Sequence, residues 1–254
     1  MTTANLRISY IGGGYDFPKF FADRPVTILA EGLPVSVACE QEMDEWGRGA
    51  WRWESPVDGF SGLGGSAARH LSFLRYHFPA AIFKALVNAA IVMDGLQNGG
   101  WQDAIAAAHD GFMKIRLYQN DWSVEPIETE LHKYRRLYEI PVCNQRKNIL
   151  SQMTCRESAF ATMQGLVKQG QQALLRNDYA DFGNCVKNAW HLKKRWHPDI
   201  SNPVIQKMEK FAKDVGAWGW KVCGAGGQGY FLVIGSQHCH TLFEKEYKEL
   251  KING

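Results

Sequence analysis

Gly59 to Ala68 reads GFSGLGGSAA, a turn so rich in small residues that its backbone is almost bare. Directly after it, Leu71, Leu74 and Phe78 recur at helical spacing. A bare loop running into a helix start suits a phosphate. Glycine lets the backbone come close and take positive φ. The first helical N–H groups have no internal partner, and the helix dipole favours an anion beside them. Ser66 falls where its hydroxyl could meet a phosphate oxygen or a bound Mg²⁺. No Lys follows the last glycine, so this is not the GxxxxGKS/T loop. Taken alone, the stretch reads equally well as a small turn that packs a helix tightly on a strand.

Two further glycine clusters stand near the ends of the chain, RISYIGGGYD from Arg7 to Asp16 and KVCGAGGQGYFLVI from Lys221 to Ile234. Each adjoins an apolar, strand-like run. Other polar residues have ordinary readings when taken singly. Arg7 reads as a strand-end residue and Asp16, nine positions on, as an Asx-turn residue after a glycine run. Asp103 stands in the first turn of a small-residue helix, where negative charge is stabilised by the dipole. Asp94 reads as an exposed helix-end carboxylate, and Lys193 with Lys194 as a solvated basic face. Cys239 between His238 and His240 looks like a metal tract, but without a second cluster it reads as incidental.

The three glycine clusters, in this order, resemble those of the GHMP small-molecule kinases. The resemblance is closest to the heptose-phosphate and fucose kinase branch. That branch reads RISFxGGGTD, GLGSSSA and GxKLxGAGGGGF where this chain reads RISYIGGGYD, GLGGSAA and GWKVCGAGGQGY. The likeness runs from Arg7 to Ile234 and implies a role for each element. Gly62, Leu63, Gly64, Gly65, Ser66 and Ala67 would cradle the phosphates of ATP, with Gly65 in place of a family serine. Ser66 matches the serine whose hydroxyl approaches Mg²⁺. GGWQDAIAAAHDGF resembles the branch's GxQDQYAAAxGGF, so Asp103 would orient or deprotonate the acceptor hydroxyl. Arg7 would stabilise charge on the transferring group. Gly13, Gly14, Tyr15 and Asp16 would bind the acceptor, with Tyr15 replacing a Thr and adding bulk. Gly226 and Gly227 would lie beside phosphates and acceptor. Lys193 and Lys194 would meet a phosphate already on the substrate, with Arg146 and Lys147 as a second candidate pair. Many family members supply a metal-binding Glu from the helix before the catalytic Asp. Here that stretch offers only Asp94.

These assignments imply ATP- and Mg²⁺-dependent phosphorylation of a sugar or sugar phosphate, with heptose 7-phosphate at its anomeric hydroxyl as the acceptor. Two alternatives stay open. One is a catalytically idle nucleotide- or sugar-binding protein on the same scaffold, and the other a kinase for fucose or a non-sugar alcohol.

The elements that must position these residues follow from patterning. Strands are expected at Leu6–Ile11, Val26–Leu29, Val35–Cys39 and Phe112–Leu117, and a hairpin at Trp46–Glu54. Helices are expected after the phosphate loop, at Ala80–Leu96, Gln102–His109, Gln152–Leu175, Tyr179–Trp196 and Pro203–Val215, with a closing helix at Leu242–Leu250. Glu130–Glu139 is expected to end in a strand-like Ile140–Val142. The order is that of an α+β chain. The family fold adds a ribosomal protein S5 domain 2-like N-terminal domain, residues 1–143 with a trimmed sheet, and a ferredoxin-like C-terminal domain, residues 144–254. Net charge is +3, with no dense basic run, which argues against nucleic acid. No apolar stretch approaches 18 residues and no signal peptide is read at the N-terminus, which argues against a membrane role. Six scattered cysteines with no CxxC pair favour free thiols and the cytoplasm. Nine tryptophans beside a trimmed sheet raise a homodimer as one reading.

Overall fold

The computed structural model describes residues 2–43, 49–54, 62–96, 99–141 and 157–252. The expected domain boundary at 143/144, Arg146, Lys147 and the first three residues of the glycine stretch lie outside them.

The first sheet is antiparallel, in the order β1 (Thr2–Ile11), β2 (Val26–Met43), β4 (Gly111–Tyr118), β5 (Asp121–Pro126), with β3 (Gly49–Glu54) pairing the far end of β2. Residues of both parities along β1 are buried, from Leu6 through Ile11, so both of its faces are covered. Helices α2 (Gly65–His77) and α4 (Trp101–Ala107) pack on it, as do α5 (Phe160–Leu175) and α6 (Tyr179–Lys193). Helix α3 (Phe83–Gly95) lies against α2 and α4, and the short α1 (Pro18–Phe21) follows the first glycine turn. The second sheet has the order β6 (Arg135–Glu139), β8 (Tyr230–Ile234), β7 (Gly219–Val222), all antiparallel. A single bridge from Tyr138 to Glu249 extends its β6 edge. Helix α7 (Pro203–Asp214) is capped by the Asn202 side chain, which accepts from the Ile205 N–H at 3.0 Å. Helix α8 (Gln237–Phe243) ends the regular structure.

Buried polar contacts join the two sheets. Glu31 on β2 accepts from Arg135 on β6 at 2.7 and 3.0 Å and from the Tyr10 hydroxyl at 2.6 Å. Burial disfavours the Arg135 charge, but Glu31 outweighs it and the guanidinium is held more firmly protonated than usual. Helix α6 meets β7 glycine to glycine. A Cβ on Gly219 would fall 2.0 Å from the Gly183 carbonyl oxygen, so nothing larger fits.

The structure corrects the element readings at four places. The two strands expected at Val26–Leu29 and Val35–Cys39 are one continuous strand. Its irregular register around Leu33–Val35 accommodates Pro34 without ending it. Strand β5 was not anticipated. Ile140 and Pro141 lie beyond the end of β6. The closing helix is Gln237–Phe243, started by Ser236 accepting from the Cys239 N–H, and Leu242–Leu250 is not a helix. His240 and Cys239 are core residues there. His240 faces the Tyr138 hydroxyl and the Tyr134 carbonyl, and it holds no metal tract.

Candidate functional site

Arg7 on β1 ties the site together. It is 3% exposed. Its Nε and Nη2 donate to the two carboxylate oxygens of Asp103 at 2.8 and 2.7 Å, a bidentate pair, and its Nη1 donates to the Gly62 carbonyl at 2.7 Å. Its backbone N–H donates to the Leu63 carbonyl at 2.9 Å. One residue thus fixes the phosphate-type loop and the first-turn carboxylate of α4 relative to each other. Asp103 keeps part of its side chain open to solvent.

The loop enters α2 through Gly64 at φ 72°, a left-handed conformation in which a Cβ would strike the Arg7 side chain at 2.8 Å. No side chain caps this helix start, and no acidic residue lies in its first turn. The third glycine loop packs directly on it. A Cβ on Gly224 would sit 2.4 Å from the Gly62 Cα, and one on Gly62 would sit 2.5 Å from the Cys223 carbonyl oxygen. Gly226, at φ 107°, lies against Ile200, and Gly227 bonds the Ile200 carbonyl at 2.9 Å and, through its own carbonyl, Asn202 at 2.8 Å.

Beneath these loops sit three cations, Arg7, Lys193 and Lys221. The Lys193 ammonium donates to the Gly224 carbonyl. Lys221 is buried, donates to the Ser9 and Tyr10 carbonyls, and is pushed down to about 7, first by burial and then by Lys193. Lys194, expected beside it, is turned away and pairs with Glu209 at 2.8 and 2.9 Å.

The first glycine turn brings Asp16 up against α4. The Gly14 N–H donates to Asp16 Oδ1 at 2.8 Å, and the Trp101 N–H donates to its carbonyl at 3.0 Å. Burial and then the nearby Asp103 charge raise the Asp16 carboxyl to about 6. Gly13 faces Ser9 and Gln102, whose Oγ and Oε1 are buried without a hydrogen-bond partner. The Tyr15 ring departs from expectation. It is fully buried and packs edge-on against Phe20, Phe160 and Trp196, so its bulk serves the core and only its backbone stays in the turn.

Asp94, at the end of α3, is buried against the same constellation. It accepts a hydrogen bond from Ser66, and burial, with Asp103 second, raises its carboxyl to about 6. His70 Nδ1 lies 3.8 Å from Asp94 Oδ1. No set of three His, Cys, Asp or Glu side chains able to hold a metal is gathered among the described residues.

Sequence reasoning gave Gly99 and Gly100 no role. A Cβ on Gly99 would fall 1.9 Å from Asp94 Oδ2, and one on Gly100 would fall 1.8 Å from Asp16 Oδ2. The paired glycines are the space in which both carboxylates sit. A doubled glycine directly before an acidic first turn was the available signal. A cavity of about 880 Å³ lies elsewhere, lined by Glu31, Asp110, Arg135, Glu244 and Glu249 among others. It includes no residue of the glycine loops.

Comparison with known proteins bears on the fold. Residues 171–238 match the family described as GHMP kinases C terminal. The chain is 30% identical over 166 residues to a D-glycero-alpha-D-manno-heptose 7-phosphate kinase of Campylobacter jejuni, covering 59% of this chain and 49% of that protein. It is 23% identical over 248 residues to the bifunctional fucokinase/GDP-fucose pyrophosphorylase of Arabidopsis thaliana, covering 85% of this chain and 22% of that protein. The matches thus span about half of the first relative and about a fifth of the second. A solved D-glycero-D-manno-heptose 1-phosphate kinase from Bacteriodes thetaiotaomicron superposes with a TM-score of 0.70 at 16% identity, over 98% of this chain and 94% of that one. Over residues 171–238 the chain is thus similar to GHMP kinase C-terminal domains, and as a whole it has the fold of that solved kinase.

Proposed function

We propose that this chain transfers the γ-phosphoryl group of ATP to a hydroxyl of a sugar or sugar phosphate. Heptose 7-phosphate at its anomeric hydroxyl is the acceptor that its 30%-identical relative favours. The observation that carries the reading is the Arg7 bridge, which joins the Gly62 carbonyl and the Asp103 carboxylate through one buried guanidinium. Phosphoryl transfer asks a protein mainly for positioning and for neutralisation of charge, and the site offers both. The bare N-terminus of α2 and the cations Arg7, Lys193 and Lys221 favour the nucleotide phosphates over the glycine loops.

Asp103 has both oxygens engaged by Arg7, an arrangement suited to orienting the acceptor hydroxyl through a remaining lone pair. A loose transition state asks little prior proton removal. Asp16 accepts from a neighbouring acceptor hydroxyl. The unpartnered Ser9 Oγ and Gln102 Oε1 beside Gly13 suit a polyhydroxylated acceptor better than an apolar one. Ser66 and Asp94 fit a hard divalent cation that completes its shell with water and phosphate oxygens. Mg²⁺ held there would neutralise charge on those phosphates. The four cysteines among the described residues are free and buried, which accords with a reducing cytoplasm.

The test is ADP release from Mg-ATP with hexoses, heptoses and their phosphates. Turnover with a heptose phosphate, lost in Asp103→Ala, supports the reading. Nucleotide binding without turnover on any acceptor favours an idle scaffold, and absence of nucleotide binding refutes the site.

A further inference from the structure

The cation pocket holds a side chain that the kinase reading leaves unused. His70 follows Ser66 by four residues on α2, so both side chains lie on one helix face, and Asp94 of α3 stands against that face. The His70 Nδ1 is buried and has no hydrogen-bond partner. Its 3.8 Å separation from Asp94 Oδ1 is too long for a hydrogen bond. Two cis ligands each about 2.1 Å from one octahedral ion lie roughly 3.0 Å apart, so the 3.8 Å pair has to close by about 0.8 Å to share a cation. Asp94 is held in place by Gly99, where no Cβ fits beside Oδ2.

We propose that His70 is a third protein ligand of the nucleotide-bound cation, giving a hydroxyl, imidazole and carboxylate set from Ser66, His70 and Asp94. Burial lowers the pKa of His70, which keeps the imidazole neutral and its lone pair free for a metal. An imidazole donor shifts preference from Mg²⁺ toward Mn²⁺ and its first-row neighbours, because nitrogen suits the softer ions better. The inference rests on the kinase reading, since the nucleotide phosphates complete the shell.

The experiment uses the full chain with Mn²⁺ and the non-hydrolysable β,γ-imido analogue of ATP, read by pulsed electron paramagnetic resonance. The expected spectrum carries modulation from a directly coordinated ¹⁴N. In His70→Asn that signal disappears, and the analogue binds about tenfold more weakly with Mn²⁺, with a smaller loss with Mg²⁺. A wild-type complex that binds Mn²⁺ and the analogue with no coordinated nitrogen overturns the proposal and leaves the kinase reading intact. It needs no variant, so a folding defect in His70→Asn does not blunt it. If the wild type binds the analogue with neither ion, only aqueous Mn²⁺ is seen, and the kinase reading falls together with this proposal.

Discussion

In the proposed reaction Asp103 would meet the acceptor already committed to Arg7 by both carboxylate oxygens. Its value is direction, so Asp103→Asn, which keeps the shape and loses the charge, is expected to lower kcat by about 10²- to 10⁴-fold. Nucleotide affinity, measured by calorimetry, should change little. Asp16 supplies the pH dependence. Its carboxyl is raised from 3.8 to about 6, chiefly by burial. Below about 6 it takes a proton and no longer accepts as a carboxylate from the acceptor hydroxyl, so kcat/KM for the acceptor is expected to fall about tenfold per pH unit there. Asp16→Asn should abolish that limb of the profile. For stability the sign is opposite. Between about 4 and 6 the native chain holds a proton that the unfolded chain has lost, so stability falls as pH rises through that window. The contribution is of the order of 3 kcal/mol, and denaturant melts of wild type and Asp16→Asn at pH 4.5 and 7 measure it.

At the scale of elements, the loop before α4 decides where two carboxylates go. Gly100→Ala puts a Cβ 1.8 Å from Asp16 Oδ2, so loop or carboxylate must move by more than an ångström. Gly100 has an ordinary negative φ of −89°, so the cost is collision and not backbone strain. The expected outcome is a rise in acceptor KM of about tenfold or more with the circular dichroism unchanged, and an unaltered KM would refute the placement. These glycines were legible as a doubled break in helical pattern. Their purpose was not, because the carboxylates they accommodate are remote or at the end of another helix. The same limit split β2 in two. In sequence Gly32 suits a turn, whereas it lies where β2 passes the His109 carbonyl, with 1.9 Å left for a Cβ. The glycine loop before α2 was legible as a loop, because positive φ at Gly62 and Gly64 is a local demand that glycine meets in its own neighbourhood.

At the scale of the whole molecule, the two sheets are joined by the buried Glu31, Arg135 and Tyr10 cluster. Glu31→Leu leaves a buried guanidinium unpaired and is expected to cost about 3–5 kcal/mol. In a chain of this size that lowers Tm by roughly 10 °C by scanning calorimetry. The double variant Glu31→Leu, Arg135→Met should recover most of the loss, since two apolar groups strand no charge. Persistence of the full loss in the double variant would mean that the cluster matters for packing and not for charge.

The sequence by itself determined the three glycine loops, their order, the helical run after the second of them and the candidates Arg7, Asp16, Ser66 and Asp103. Each is set by local conformational demand or by motif spacing along one stretch of chain. Tertiary structure alone decided which of them meet. Arg7 and Asp103 are 96 positions apart and pair only because β1 and α4 pack. The Tyr15 ring goes to the core because Phe160 and Trp196, from distant parts of the chain, join the nearby Phe20 around it. Lys193 and Lys194 part company because adjacent residues at the end of a helix point to different neighbours, one to the Gly224 loop and one to Glu209. His70 joins Asp94 for the same reason. A juxtaposition made from two helices is a property of their packing, which no single stretch of sequence encodes.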